Sequence, residues 1–227
     1  MVGVMSMQFS LFFIQKIYRV GFLLVLGLVL VDLIAFFYFP NTLLSDLFTA
    51  TREQTPLTWF SALSFFFIGL SALTIYYRTR EKIWYFLSAI FFFFSLDDAT
   101  YFHERMSGYL AEHSLLFDFF PSYIWVILYF PLMVFSLGAL LYLLWKEHLE
   151  RIRRPLIGVF FVLGLAVALD LFDGWIGKRD TFALCTETTC RFVLLHIIRL
   201  SEEVMEVVAL GLLGYLLITT HCLDKER

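Results

Sequence analysis

Six stretches of this 227-residue chain are almost wholly apolar and about 20 residues long, the length an α-helix rising about 1.5 Å per residue needs to cross about 30 Å of hydrocarbon. They are residues 17–39, 56–77, 83–102, 123–145, 155–177 and 192–220. No spare segment remains for a soluble domain. The expectation is a single integral membrane domain over residues 1–227, all-α, built as a six-transmembrane-helix bundle. Composition agrees: 60% of residues are hydrophobic and 16% charged, against about 25% charged in an ordinary soluble domain. Lys16 and Arg19 ahead of the apolar run at 20–31 resemble the start of a secretory signal. That run continues through Asp32 to Phe39 without a small-residue cleavage site, so it reads as a retained first span.

Orientation follows from the connections. Lys16, Arg19, Arg78, Arg80, Lys82, Lys146, Arg151, Arg153, Arg154, Lys225 and Arg227 fall on one side of the six spans. Arg52, Lys178, Arg179 and Arg191 fall on the other, and Arg105 and Arg199 lie nearer the bundle. Lysine and arginine accumulate in cytoplasmic loops, which places both termini in the cytoplasm, with a bacterial inner (plasma) membrane as the expected location. The 146–154 tract is ordinary positive-inside charge that also attracts anionic headgroups. A net charge of −3, from 20 acidic and 17 basic residues, gives no basic field for nucleic acid; the expected partners are the bilayer, a lipid-like substrate, and a second copy or another membrane subunit.

Against this apolar background, ionisable residues inside the spans carry the information, because a charge at the bilayer centre costs about 2.5–3.5 kcal/mol on insertion scales. Span one holds Asp32, span three ends in Asp97, Asp98, His103 and Glu104, span five holds Asp170 and Asp173, and span six holds His196, Arg199, Glu202, Glu203 and Glu206. Counted along their helices, these groups collect in the outer half of the membrane, and the cytoplasmic half is left apolar. The five ionisable residues of span six fall on one arc about 120° wide. Asp97, Tyr101 and Glu104 share a face of span three if its helix runs on toward Glu112, whereas His103 then points elsewhere. Asp170 and Asp173, three apart, point together. Asp32 reads as a paired or snorkelling residue, ranked below the others.

One arginine cannot balance so many carboxylates. The missing positive charge is either protons held on several of them or a bound cation. Carboxylates with one or two imidazoles inside a helical bundle are the donor set of divalent-metal centres, which makes Asp98, His103, Glu104, Asp170, Asp173, His196, Glu202 and Glu203 candidate ligands for a divalent ion such as Zn, Fe or Mn. The E-x-x-H pair of ferritin-like sites is absent. In an enzyme reading, a metal on Asp98, His196 and Glu203 activates water for hydrolysis or supports redox chemistry on a lipid-like substrate. Asp97 or Glu206 then acts as base and Arg199 steadies negative charge. A proton or metal-ion transporter could use the same acidic face, although the apolar cytoplasmic half offers no continuing path. A non-catalytic membrane subunit or sensor is the third reading, and a purely structural polar network, with Arg199 and Arg105 neutralising acids, is the bland one.

The strings Ser95-Leu96-Asp97-Asp98 with His103-Glu104, and Glu202-Glu203 with Glu206, resemble small bacterial polytopic membrane proteins of uncharacterised function. That resemblance implies a membrane bundle and no particular activity. No retinal-type lysine lies within a span, and no Walker, H-E-x-x-H or G-x-S-x-G motif is present, which removes several familiar readings. Cys185 and Cys190 bracket a short polar loop expected outside, where they could form a disulfide. Pro131 is expected to kink span four, the phenylalanines at 91–94 to face lipid, and Gly158, Gly164, Gly211 and Gly214 to mark close helix packing. His113, His148 and His221 read as solvated.

Overall fold

The computed structural model describes residues 2–49, 55–113, 125–146, 150–177 and 188–223. Among them the chain is helical without a strand: α1 Val2–Tyr38, α2 Leu43–Phe48, α3 Pro56–Thr79, α4 Lys82–Thr100, α5 Phe102–His113, α6 Trp125–Lys146, α7 Glu150–Gly177 and α8 Thr188–Leu223. Five segments are long and apolar enough to cross a membrane: Gln15–Tyr38, Pro56–Thr79, Lys82–Thr100, Trp125–Leu143 and Arg154–Ile176. They make this an integral membrane protein. The sixth expected span falls within α8, a 36-residue helix that carries five ionisable residues between His196 and Glu206 and whose neighbours are α7, α3 and α1.

Helix ends follow local chemistry. Thr55 caps α3, accepting from the Thr58 N–H at 3.4 Å, with Pro56 in the first turn, where its missing N–H costs nothing. Arg80 closes α3 in the left-handed conformation at φ 60°, its N–H donating to Tyr76 O at 2.8 Å. The continuous helix expected from residue 83 toward Glu112 is instead two. Tyr101, at φ 55° and ψ 35°, ends α4, and α5 begins at Phe102. Gly108, the one breaker in the sequence there, lies inside α5. The chain also runs helically through Pro131.

Lipid tails are as apolar as leucine, so helices associate here by close packing and interhelical hydrogen bonds rather than by hydrophobic burial. The tightest pair is α3 with α4. Ser88 Oγ donates to Gly69 O at 2.9 Å and Ser95 Oγ to Ala62 O at 2.8 Å, and the Phe92 ring lies where a Cβ on Gly69 would meet it at 3.0 Å. The phenylalanine run is therefore not all lipid-facing: Phe91 is buried, and Phe92 packs on Gly69. Of the four glycines expected to mark close packing, Gly214 does so, against the Tyr18 hydroxyl. Gly158, Gly164 and Gly211 have nothing near enough to meet a Cβ.

The apolar core is displaced toward one end. Ile68, Ala72, Trp84, Leu87, Leu140, Leu143, Leu156, Val159, Leu210 and Leu213 form one buried cluster from α3, α4, α6, α7 and α8. These residues sit toward the end of the bundle where α3 turns into α4, called the lower end here. A smaller cluster of Val25, Leu57, Leu200 and Val207 ties α1 to α3 and α8. Gly69→Val should force Phe92 aside and cost about 1–3 kcal/mol, read as a lowered unfolding midpoint in detergent. Gly158→Ala, with open space around it, should not lower the midpoint; equal losses in both variants would mean that α3 and α4 are not packed this closely.

Candidate functional site

Above the apolar core the helices part around a cavity of about 760 Å³. Its upper end is lined by eight carboxylates, Asp97, Asp98, Glu104, Asp170, Asp173, Glu202, Glu203 and Glu206, together with His103 and Arg199. Its lower part is lined by Phe65, Phe91, Phe94, Met133, Leu140, Phe160, Leu163 and Leu213 among others. The polar arc of α8 therefore faces the acids of α4 and α7, and the helix break at Tyr101 adds those of α5.

Asp97 is the most fully engaged acid. Its Oδ1 accepts from the Tyr129 hydroxyl at 2.6 Å and from the His103 backbone N–H at 3.0 Å, and its Oδ2 lies 2.6 Å from His103 Nδ1. On an unbroken helix, His103 and Asp97 would be six residues apart on different faces. The left-handed Tyr101 reverses the chain locally and swings His103 back over Asp97. A bulky residue in that region is held at a cost of order 1–3 kcal/mol, which the surrounding structure must supply; the buried Tyr101 side chain and the bonds to Asp97 do so here. The His103 ring also packs 4.9 Å from the Trp125 ring.

The remaining groups are less completely satisfied. Arg199 Nε donates to Asp173 Oδ2 at 3.0 Å, and the Thr58 hydroxyl donates to Glu203 Oε1 at 3.3 Å. The Ser61 hydroxyl sits beside Asp98 and Glu206. Asp98 Oδ2, Asp170 Oδ2 and Glu203 Oε2 are buried without a hydrogen-bond partner among the described residues. Native proteins rarely leave such groups bare, so each calls for an explanation such as a proton, a water or an ion.

His196 stands apart from the cavity. Its Nε2 lies 2.8 Å from Asp32 Oδ1, with both side chains fully buried between α1 and α8. The separation is that of an ion pair, although its alignment falls short of a hydrogen bond. The ring is stacked on Phe36 at 3.6 Å. Asp32, expected to be paired, is paired, and its partner is the histidine expected at the metal. Arg105, a possible neutraliser of the acids, is exposed. The ten other expected site residues all line the cavity. Even so, no group of three or more His, Cys, Asp or Glu among the described residues is close enough to hold one metal ion.

Three contributors escaped the sequence reading: Tyr129, Thr58 and Ser61. The signal was faint. A tyrosine within a span needs a partner for its hydroxyl, but nothing in the sequence says which. Cys190 is disulfide-bonded; Cys185, its expected partner, lies outside the described residues, as do His148, Lys178 and Arg179.

Membrane-type helices grouped around an amphipathic cavity with an acidic end are the class that this fold and site define. Residues 20–222 match the family described as a domain of unknown function, DUF8692, and the chain belongs to it. No curated protein and no solved structure matches the chain.

The buried Asp32–His196 pair yields a direct prediction. Removing one partner of a buried ion pair strands the other, at about 3–5 kcal/mol, whereas replacing both by apolar groups is close to neutral. Asp32→Ala should therefore lower the unfolding midpoint sharply, and Asp32→Leu with His196→Leu should recover most of the loss. If the double variant is no better than the single, these residues do more than pair with each other.

Proposed function

We propose that the protein is a six-span membrane enzyme of a bacterial inner membrane, with both termini cytoplasmic, and that the cavity is its active site for acid–base chemistry on a lipid-like substrate. The charged arc of α8 facing inward supports its role as the sixth span. The lysines and arginines near the lower end, among them Lys16, Arg19, Arg78, Arg80 and Lys82, support a cytoplasmic lower end.

The observation that carries the enzyme reading is the Asp97–His103 pair. A carboxylate on Nδ1 fixes the imidazole tautomer and orientation and stabilises the imidazolium that forms when Nε2 takes a proton, the logic of hydrolytic triads. His103 thereby becomes a general base directed at water or a substrate hydroxyl, with Asp97 and Tyr129 as its positioning residues. Arg199, steadied by Asp173, can stabilise developing negative charge. Glu202, at the same wall, can return a proton to a leaving group.

A divalent ion remains chemically compatible with the carboxylates, and Asp98, Glu203 and Asp170 would be its first candidates. The spread of donors among the described residues favours catalysis without one, and the pairing of His196 with Asp32 argues against His196 as a ligand. The apolar lower end of the cavity argues against a transport path for protons or metal ions.

The test is turnover in nanodiscs. Purified protein is incubated with extracted bacterial lipids and the products followed by mass spectrometry. His103→Ala and Asp97→Asn should each lower the rate by about 100-fold, within the range of general acid–base catalysis. Unchanged rates would remove the pair from the chemistry, and no product from folded wild type would remove the enzyme reading. Elemental analysis runs alongside. Near-stoichiometric Zn, Fe or Mn lost in both Asp98→Asn and Glu203→Gln would replace the metal-free version with a metal-dependent hydrolytic or redox one.

A further inference from the structure

The rim of the cavity is as informative as its floor. α6 packs only sparsely on α7, and the residues that join them, Ala139, Leu140 and Leu143 with Leu156 and Val159, belong to the lower core. Above that seam Phe130 and Val134 of α6 line the cavity and yet are 61% and 50% exposed. On the facing edge of α7, Gly164 lines the cavity, and a Cβ built there would meet nothing within 4 Å. The cavity is thus open sideways between α6 and α7. Val134 lies about 14 Å along α6 from Trp125 and Gly164 about 15 Å along α7 from Arg154, so the opening meets the acyl chains and not the headgroups.

The polar end has the opposite chemistry. Of the eight carboxylates, Asp173 is offset by Arg199 and Asp97 by His103. His103 also acts on Asp98, and His103 and Arg199 both act on Asp170, so two basic side chains serve a wall of eight carboxylates, and Asp98, Asp170 and Glu203 keep buried oxygens without hydrogen-bond partners among the described residues. A ligand with a positively charged head answers both deficits at once, since an ammonium supplies three donors and a full charge. The volume, about 760 Å³, lies within the range of about 300–1,000 Å³ for small-molecule sites.

We infer that the cavity takes a single-chain amphiphile with a primary amine head, which slides in between α6 and α7, seats its ammonium among Asp98, Asp170, Glu203 and Glu206, and leaves its chain in the slot at Phe130, Val134 and Gly164. This rests on the enzyme reading only for what happens to the ligand afterwards; binding stands separately.

The probe is a sixteen-carbon primary alkylamine with a photoreactive diazirine at mid-chain, compared in nanodiscs with the same chain ending in a hydroxyl or a carboxylate. Irradiation should attach the amine to peptides containing Phe130, Val134 or Gly164, at least tenfold more than either control. Glu203→Gln, an isosteric change, should lower labelling about tenfold, and Val134→Trp or Gly164→Leu should block it. Phe135→Trp, at a half-exposed position outside the cavity lining, should leave it intact. Labelling that ignores the head, survives Glu203→Gln, or falls on lipid-facing positions generally would overturn the inference. Specific amine labelling without turnover of any lipid would overturn the enzyme reading and leave the amine site standing. Turnover of an uncharged lipid without specific amine labelling would do the reverse.

Discussion

A carboxyl group inside a bilayer has to be turned away from the lipid, and that requirement arranges the rest of this bundle. Acids on α4, α7 and α8 can share one interior volume only if those helices surround it, and α8, with its polar residues gathered on a single arc, lies among α1, α3 and α7. The other surfaces are left free to be apolar, as the exposed leucines and phenylalanines of α1 and α6 are. Asp32 and His196 obey the same rule where α8 meets α1, by pairing with each other.

Packing and polarity consequently separate along the bundle axis. Toward the lower end, apolar side chains from five helices interlock, and α3 is held to α4 by serine hydroxyls and by the close fit of Phe92 on Gly69. Toward the upper end, the same helices diverge around carboxylates that want partners. The closed end holds the geometry, and the open end supplies reactive groups and room for a ligand, the division on which the proposed chemistry depends.

Much of this was legible in the sequence. Apolar runs of span length give the membrane helices, and a 3.6-residue period puts Glu202, Glu203 and Glu206 with Arg199 on one face of α8. The acids of α4 and α7 follow from counting depth. What could not be read were features decided by tertiary contact. A tyrosine in the left-handed region has no sequence signature, so the break at Tyr101 was invisible, and with it the return of His103 to Asp97. His196 lies at the edge of the α8 arc, and which neighbour claims it depends on how α1 packs, which periodicity within one helix cannot tell. The glycines failed for a similar reason: a small residue permits close approach, but only a neighbour such as Tyr18 at Gly214 makes use of it.

Asp97 holds two offices. Its Oδ1 receives the His103 amide in the first turn of α5, where a helix has no amide partner of its own, while its Oδ2 aligns the imidazole of the same residue. The helix start and the orientation of the ring therefore share one side chain. Genetics would find few separation-of-function alleles at this position: asparagine keeps an acceptor for the amide and loses the one that aligns the ring, whereas a side chain without an acceptor gives up both.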